Sequence, residues 1–123
     1  MGLDVFIERE GMEDLPSEDI AAFEALGDLP LMNWDVGDTF IAFRGRPYTD
    51  FVLELCHQSL FREWIPPEEV AEMAKAIEDL DYTSQEVQDL LEATEVSEAE
   101  ARALGQIFRL CAERGLGLHG SWL

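Results

Sequence analysis

Positive charge is scarce in this sequence. Its 123 residues include 27 aspartates and glutamates but only 8 lysines and arginines, and the formal net charge is -19. Lys75 is the only lysine. Proteins bind nucleic acids and anionic membranes largely through cations that replace the counterions of phosphate groups. We therefore expect no direct binding to nucleic acid and none to a membrane.

Long apolar runs and cysteines are also rare. No stretch approaches the roughly 20 apolar residues that a membrane-spanning helix needs. The opening residues MGLDVFIERE lack the basic region and the apolar run of a signal peptide. Cys56 and Cys111 lie inside apolar helical patterns, which favours buried thiols over a disulfide framework. These features predict a cytoplasmic protein.

The carboxy-terminal stretch GLGLHGSWL contains the G-x-G-x-x-G spacing of a dinucleotide-binding loop. Such a loop joins a strand to a helix whose amino terminus receives the pyrophosphate. Here Gly115, Gly117 and Gly120 follow a helical pattern, and Gly115 is placed to end that helix in a left-handed conformation. We interpret residues 116–122 as a short strand whose glycines permit the close approach of a neighbouring segment.

Motifs for metal binding and nucleophilic catalysis are missing. Cys56, His57, Cys111 and His119 do not occur at the spacings of zinc sites. His119 and Ser121 stand two residues apart on the expected strand and can face one side, but the chain has no G-x-S-x-G elbow. We predict no cofactor, no metal ion and no catalytic residue, and we expect that the protein is not an enzyme.

Hydrophobic periodicity predicts one mostly helical α+β domain over residues 1–123. Residues 3–8 alternate apolar and polar side chains as a strand does, and the residues at 39–43 indicate a second strand. We expect these two strands, together with a possible strand at 116–122, to form a small sheet. Apolar residues recur at helical spacing in about five further segments. The predicted helices begin near Ser17, Thr49, Pro67, Thr83 and Ser97.

Two capping boxes mark predicted helix starts. They pair Thr83 with Glu86 and Ser97 with Glu100. The helical pattern that starts near Thr49 runs on as far as residue 64, with a break expected near residues 58–59.

Residues 28–38 show no sustained period, and we interpret them as the longest loop. Leu31, Met32 and Trp34 make this loop unusually apolar. Such side chains either cover the core or form an interaction patch. We favour cover of the core, and in the second interpretation these three residues bind a partner protein.

Arginines cluster before one predicted helix. Arg44 and Arg46 lie shortly before the helix start near Thr49. Guanidinium groups beside a helix amino terminus attract anions, so these two arginines are a candidate phosphate or carboxylate site for a small-ligand binder or an enzyme. In the competing interpretation they pair with carboxylates of the same acidic domain, and we interpret Arg102 and Arg109 in the same way.

The excess of carboxylates has three interpretations that stay open. It provides solubility, it adapts the protein to a high-salt cytoplasm, or it mimics the phosphates of a nucleic acid. Glu86, Asp89 and Glu92 step by three along a predicted helix, rising about 4.5 Å at each step. They also form the polar face that an amphipathic helix has in any case.

The function that fits these observations best is the binding of another protein. The expected contacts are the apolar residues at 31–34 and the acidic face with Glu86, Asp89 and Glu92. An alternative is an inhibitor that occupies the basic site of a DNA- or RNA-binding partner.

High-salt adaptation makes a prediction of its own. If it explains the acidity, the free energy of unfolding should rise with KCl into the molar range, beyond the screening that about 0.15 M salt provides. Urea unfolding at increasing KCl measures this. A stability that stops changing above that concentration would contradict the interpretation.

Overall fold

The computed structural model describes residues 2–12 and 14–122. Within them the chain forms five α-helices and one four-stranded antiparallel sheet, an α+β fold. The strands are β1 (Leu3–Glu8), β2 (Asp35–Val36), β3 (Ile41–Arg44) and β4 (Gly117–Trp122). The helices are α1 (Ser17–Glu24), α2 (Thr49–Cys56), α3 (Pro67–Glu78), α4 (Gln85–Thr94) and α5 (Glu98–Arg114). The predicted domain 1–123 also includes Met1, Glu13 and Leu123, which lie outside the described residues.

The strands follow the order β2-β3-β1-β4. Alternation in β1 buries Leu3, Val5 and Ile7 on the inner face and leaves the residues between them half-exposed. Val5 lies opposite Phe43 of β3, and Ile7 lies opposite Leu118 of β4, so the inner side chains of three strands meet. These side chains and the apolar faces of the helices form one core. None of the described helices combines the length and hydropathy that crossing a bilayer requires.

Helix α5 begins and ends where the sequence predicts. The Ser97 hydroxyl accepts a hydrogen bond from the Glu100 N–H, and the Glu100 carboxylate accepts one from the Ser97 N–H, both at 3.1 Å. Gly115 ends the helix with φ 69°. Both predictions are confirmed. The helix between these two ends spans 17 residues, and seven of them are buried.

The capping box predicted at Thr83 is wrong by one residue. Ser84 is the cap of α4, and its hydroxyl accepts a hydrogen bond from the Val87 N–H at 3.2 Å. The Thr83 hydroxyl instead donates to Asp81 at 2.6 Å, and the Thr83 N–H donates to the same carboxylate oxygen at 3.0 Å. Thr83 was expected to cap the helix, but its hydroxyl and its N–H are both hydrogen-bonded to the Asp81 side chain.

Residues 28–38 are not a loop throughout, because β2 lies within them. The Gly37 N–H donates to the Phe40 carbonyl at 2.8 Å, and this turn folds Asp35 and Val36 back beside Ala42 and Ile41. The strand predicted at 39–43 is accordingly shifted to 41–44. The helix expected to run from residue 49 towards residue 64 ends at Cys56, since His57 adopts a left-handed conformation with φ 59°.

The segment after α2 returns along the outer edge of β4. Ile65 and Leu118 exchange backbone hydrogen bonds at 2.8 and 2.9 Å, and the Gly120 N–H donates to the Arg62 carbonyl at 2.9 Å. A Cβ atom on Gly117 would stand 2.5 Å from the Ile65 carbonyl oxygen. The carboxy-terminal glycines therefore serve the close approach of a neighbouring segment, as predicted.

We expect Gly120→Ala to destabilise the fold. Its Cβ would lie 2.6 Å from the Arg62 carbonyl oxygen and 2.9 Å from that of Leu60, and backbone atoms cannot move aside as a side chain can. The free energy of unfolding should fall by about 1–3 kcal/mol, the usual cost of overpacking. Urea denaturation measures this, with Ser121→Ala on the half-exposed face of the same strand as the control. Equal stability of the two variants would contradict the assignment.

Candidate functional site

Seven of the eight cationic side chains are already paired with carboxylates of the same chain. The pairs are Arg9 and Arg114 with Asp19, Arg44 with Asp4, Arg62 with Glu69, Lys75 with Asp79, Arg102 with Glu98, and Arg109 with Glu78. Most of the described carboxylates are exposed to solvent without a lysine or arginine beside them. The expectation that arginines find partners within the domain is confirmed for Arg44, Arg102 and Arg109.

Two of these arginines hold a carboxylate in the interior. Asp19 is 1% exposed. Arg9 donates to both of its oxygens at 3.0 and 3.1 Å, and the Arg114 Nε donates at 2.7 Å. Arg9 also donates to the Arg114 carbonyl at 3.1 Å. This triad joins the segment after β1 to α1 and to the end of α5, so its role is structural.

The two arginines of the candidate anion site, Arg44 and Arg46, differ in their surroundings. Arg44 lies on the half-exposed face of the sheet, where its Nε stands 3.3 Å from Asp4 Oδ1. Arg46 is exposed in the short turn before α2 and forms no ion pair with any described residue. The anion site stays a prediction, which the ion pair with Asp4 weakens.

His119 and Ser121 both face the outer side of the sheet, as their spacing predicts. His119 Nδ1 lies 3.7 Å from Glu8 Oε1, and its ring meets Phe6 edge-on at 6.4 Å. No hydrogen bond joins His119 to Ser121 in the described structure. His119 therefore contacts the Phe6 ring and the Glu8 carboxylate.

The thiols are held protonated. Burial raises the pKa of Cys56 to about 11 and raises that of Cys111 further. A protonated thiol is a poor nucleophile and a poor metal ligand. Among the described residues, no group of three His, Cys, Asp or Glu side chains is arranged to hold a metal ion.

The apolar residues at 31–34 divide between core and surface. Leu31 is buried and Trp34 is half-buried against the core, whereas the Met32 side chain is 54% exposed. The Met32 N–H donates to the Tyr48 hydroxyl at 2.8 Å, and its carbonyl accepts from the Arg44 N–H at 2.8 Å. Met32 is thus a solvent-facing apolar side chain on a fixed backbone.

Tyr48 links this loop to α5. Its hydroxyl donates to Glu100 Oε2 at 2.7 Å while accepting from Met32. Burial and the bond to Glu100 raise the pKa of Tyr48 to about 12. Burial acts to raise the pKa of Glu100, but hydrogen bonds from Tyr48 and Ser97 lower it. The tyrosine therefore stays a donor and the glutamate stays an acceptor across the neutral pH range.

The predicted acidic face on α4 lies at the surface. Glu86, Asp89 and Glu92 are exposed, while Val87 and Leu91 on the other side of the helix are buried. None of the three carboxylates forms an ion pair with a described residue. Their charge is available to a partner.

The described structure contains a cleft that the sequence did not predict. Its volume is about 690 Å³, and it lies between the end of α3, the turn at 79–83 and α5. Leu26, Leu80 and Leu110 line it with side chains that are only partly buried. Gly105 leaves its floor without a side chain at the point where α5 meets Ile77.

Charged side chains surround this cleft in pairs. Arg109 donates to both oxygens of Glu78 at 2.7 and 2.9 Å, and these bonds lower the pKa of Glu78. Arg102 donates to Glu98 at 3.0 Å and lies 4.2 Å above the ring of Tyr82. Each guanidinium is therefore neutralised by a carboxylate.

A smaller hollow of about 320 Å³ borders Trp34. Glu24, Asp28 and Asp35 line it together with Trp34 and Val36. This hollow adds carboxylates beside the loop that carries Met32.

No protein-family model, curated protein or solved structure matches this chain. The sequence did not predict the cleft because its lining residues lie far apart along the chain, from Leu26 to Glu113. Gly105 is the one local signal for it, since glycine inside a helix is unfavourable by about 1 kcal/mol relative to alanine unless close packing requires it.

We expect two tyrosine substitutions to differ in their effect on stability. Tyr48→Phe leaves Glu100 and the Met32 N–H without their shared partner, which should cost about 1–3 kcal/mol. Tyr82→Phe should be neutral or slightly stabilising, because the buried Tyr82 hydroxyl has no hydrogen-bond partner in the described structure. Thermal and urea unfolding of the two variants measure this. Equal losses would contradict the assigned hydrogen bonds.

Proposed function

We propose that this protein acts by binding a basic surface of another protein, and not as an enzyme. The proposal rests on one observation: the lysine and arginine side chains form ion pairs within the chain. Seven of the eight are paired within the chain, so the exposed carboxylates present an almost uniform negative field. Such a field attracts positively charged proteins over several ångströms and accelerates their association.

Two surfaces support recognition beyond simple attraction. Met32 presents an exposed thioether on a backbone held by Tyr48 and Arg44, so little conformational freedom is lost when a partner covers it. On α4, Glu86 and Asp89 project from a rigid helix without cations beside them. We propose the residues at 31–34 as the apolar contact and α4 as the charged contact.

Inhibition by nucleic-acid mimicry is a special case of the same function. In that case the partner's basic surface is one that normally binds DNA or RNA, and the carboxylates of α4 occupy its phosphate positions. Direct binding to nucleic acid is not part of the proposal, because the field repels phosphates. The proposed location is the cytoplasm.

The proposal is tested by capturing a partner from the native host. The captured protein, identified by mass spectrometry and purified, should be basic where it binds. Its Kd should weaken at least tenfold between about 50 and 500 mM salt. Neutralising the α4 face should weaken binding about threefold to tenfold at low salt. The variant carries Glu86→Gln, Asp89→Asn and Glu92→Gln.

Two controls and one competitor define the outcome. Met32→Ala should weaken binding without changing the salt dependence, since it removes an exposed apolar side chain and no charge. A triple variant with equal charge change at other exposed positions should retain more affinity than the α4 variant. It carries Glu54→Gln, Glu63→Gln and Glu68→Gln. Competition by duplex DNA supports the mimicry case, and a Kd that does not respond to salt would refute the proposal.

A further inference from the structure

We infer that the cleft between α3 and α5 receives an amphipathic helical segment of the partner, with apolar side chains in the cleft and lysines or arginines at its rim. This inference rests on the proposed function and adds a docking site to the contacts at residues 31–34 and on α4. The apolar lining comes from Leu26, Leu80 and Leu110, all partly buried, and a segment laid along the cleft would complete their burial.

The shape of the cleft suits a segment of polypeptide. Its lining follows α5 from Arg102 to Glu113, which is about 16 Å of helix. The helices α3 and α5 pack against each other more extensively than any other pair of elements, and Gly105 lets them do so. At Gly105 the floor therefore carries no side chain, which leaves room for one face of a helix between the side chains of the rim.

The charge around the cleft selects a basic segment. Glu78 and Glu98 form ion pairs with the two arginines. Asp81 and Glu113 line the cleft outside these ion pairs, although the charge of Glu113 also acts on Arg109. Four carboxylates therefore surround two guanidinium groups. Two hydrogen bonds from Thr83 lower the pKa of Asp81, so that carboxylate stays charged well below neutral pH. A lysine or arginine beside the apolar face of the segment would face Asp81 and Glu113.

The experiment uses synthetic helical peptides as probes of the full chain. One peptide of about 18 residues places leucine on one face and lysine on the other. A scrambled peptide has the same composition without an apolar face, and a third replaces lysine by glutamate. The amphipathic lysine peptide should bind at least about tenfold more tightly than the scrambled one. Its binding should shift the methyl NMR signals of Leu26, Leu80 and Leu110.

Variants locate the site. Gln106 is exposed and lines the cleft, so Gln106→Trp should fill it and abolish the preference for the amphipathic peptide. Ala93→Trp places the same side chain on the exposed face of α4 and should retain the preference. Asp81→Lys should weaken binding at low salt about threefold more than Glu54→Lys does, because Glu54 lies outside the cleft.

The outcomes separate this inference from the function on which it rests. Equal, salt-dependent binding of the amphipathic and scrambled peptides would overturn the cleft as a docking site while supporting attraction of basic partners. A preference that survives in Gln106→Trp would do the same. A small molecule that copurifies in the cleft, without peptide binding there, would also overturn it. Binding of the glutamate peptide as tight as that of the lysine peptides would overturn the proposed function itself.

Discussion

Repulsion among carboxylates is the constraint that shapes this molecule. A chain of 123 residues with a formal net charge of -19 folds only if its apolar core outweighs that repulsion. The few cations are placed accordingly. Arg9 and Arg114 both donate hydrogen bonds to Asp19, the one described carboxylate that is buried. Two of the eight cations thus stabilise one interior carboxylate, and five others pair with carboxylates nearer the surface, which remains strongly negative.

This distribution connects stability to function. A guanidinium that bonds a carboxylate of its own domain offers less to an anionic ligand, and this is why Arg44 beside Asp4 does not resemble a prepared phosphate site. Most of the exposed carboxylates have the opposite property, because no lysine or arginine of the described residues forms an ion pair with them. Binding to a basic protein is the role that this distribution supports, and apolar contact at Met32 or in the cleft would supply the specificity.

Local features of the sequence predict the elements well where one stretch of chain decides the outcome. Alternation in β1, the capping box at Ser97 and the left-handed glycine at Gly115 each depend on neighbours within a few residues. The errors occur where a competing group intervenes, as when Asp81 engages Thr83 and leaves Ser84 to cap α4. The cleft and the burial of Asp19 bring together residues distant in the sequence, which no local pattern encodes.

The segment at 60–65 has a consequence for the behaviour of the protein at high concentration. It occupies the hydrogen-bonding groups of β4 that would otherwise invite a strand from another molecule. At the opposite edge, β2 has two residues, and exposed Asp35 and Asp38 stand there. Short, charged or covered edges are the means by which natural sheets avoid polymerising into aggregates. Assembly through added strands is therefore disfavoured at both ends of this sheet, and the protein can remain dispersed when crowded.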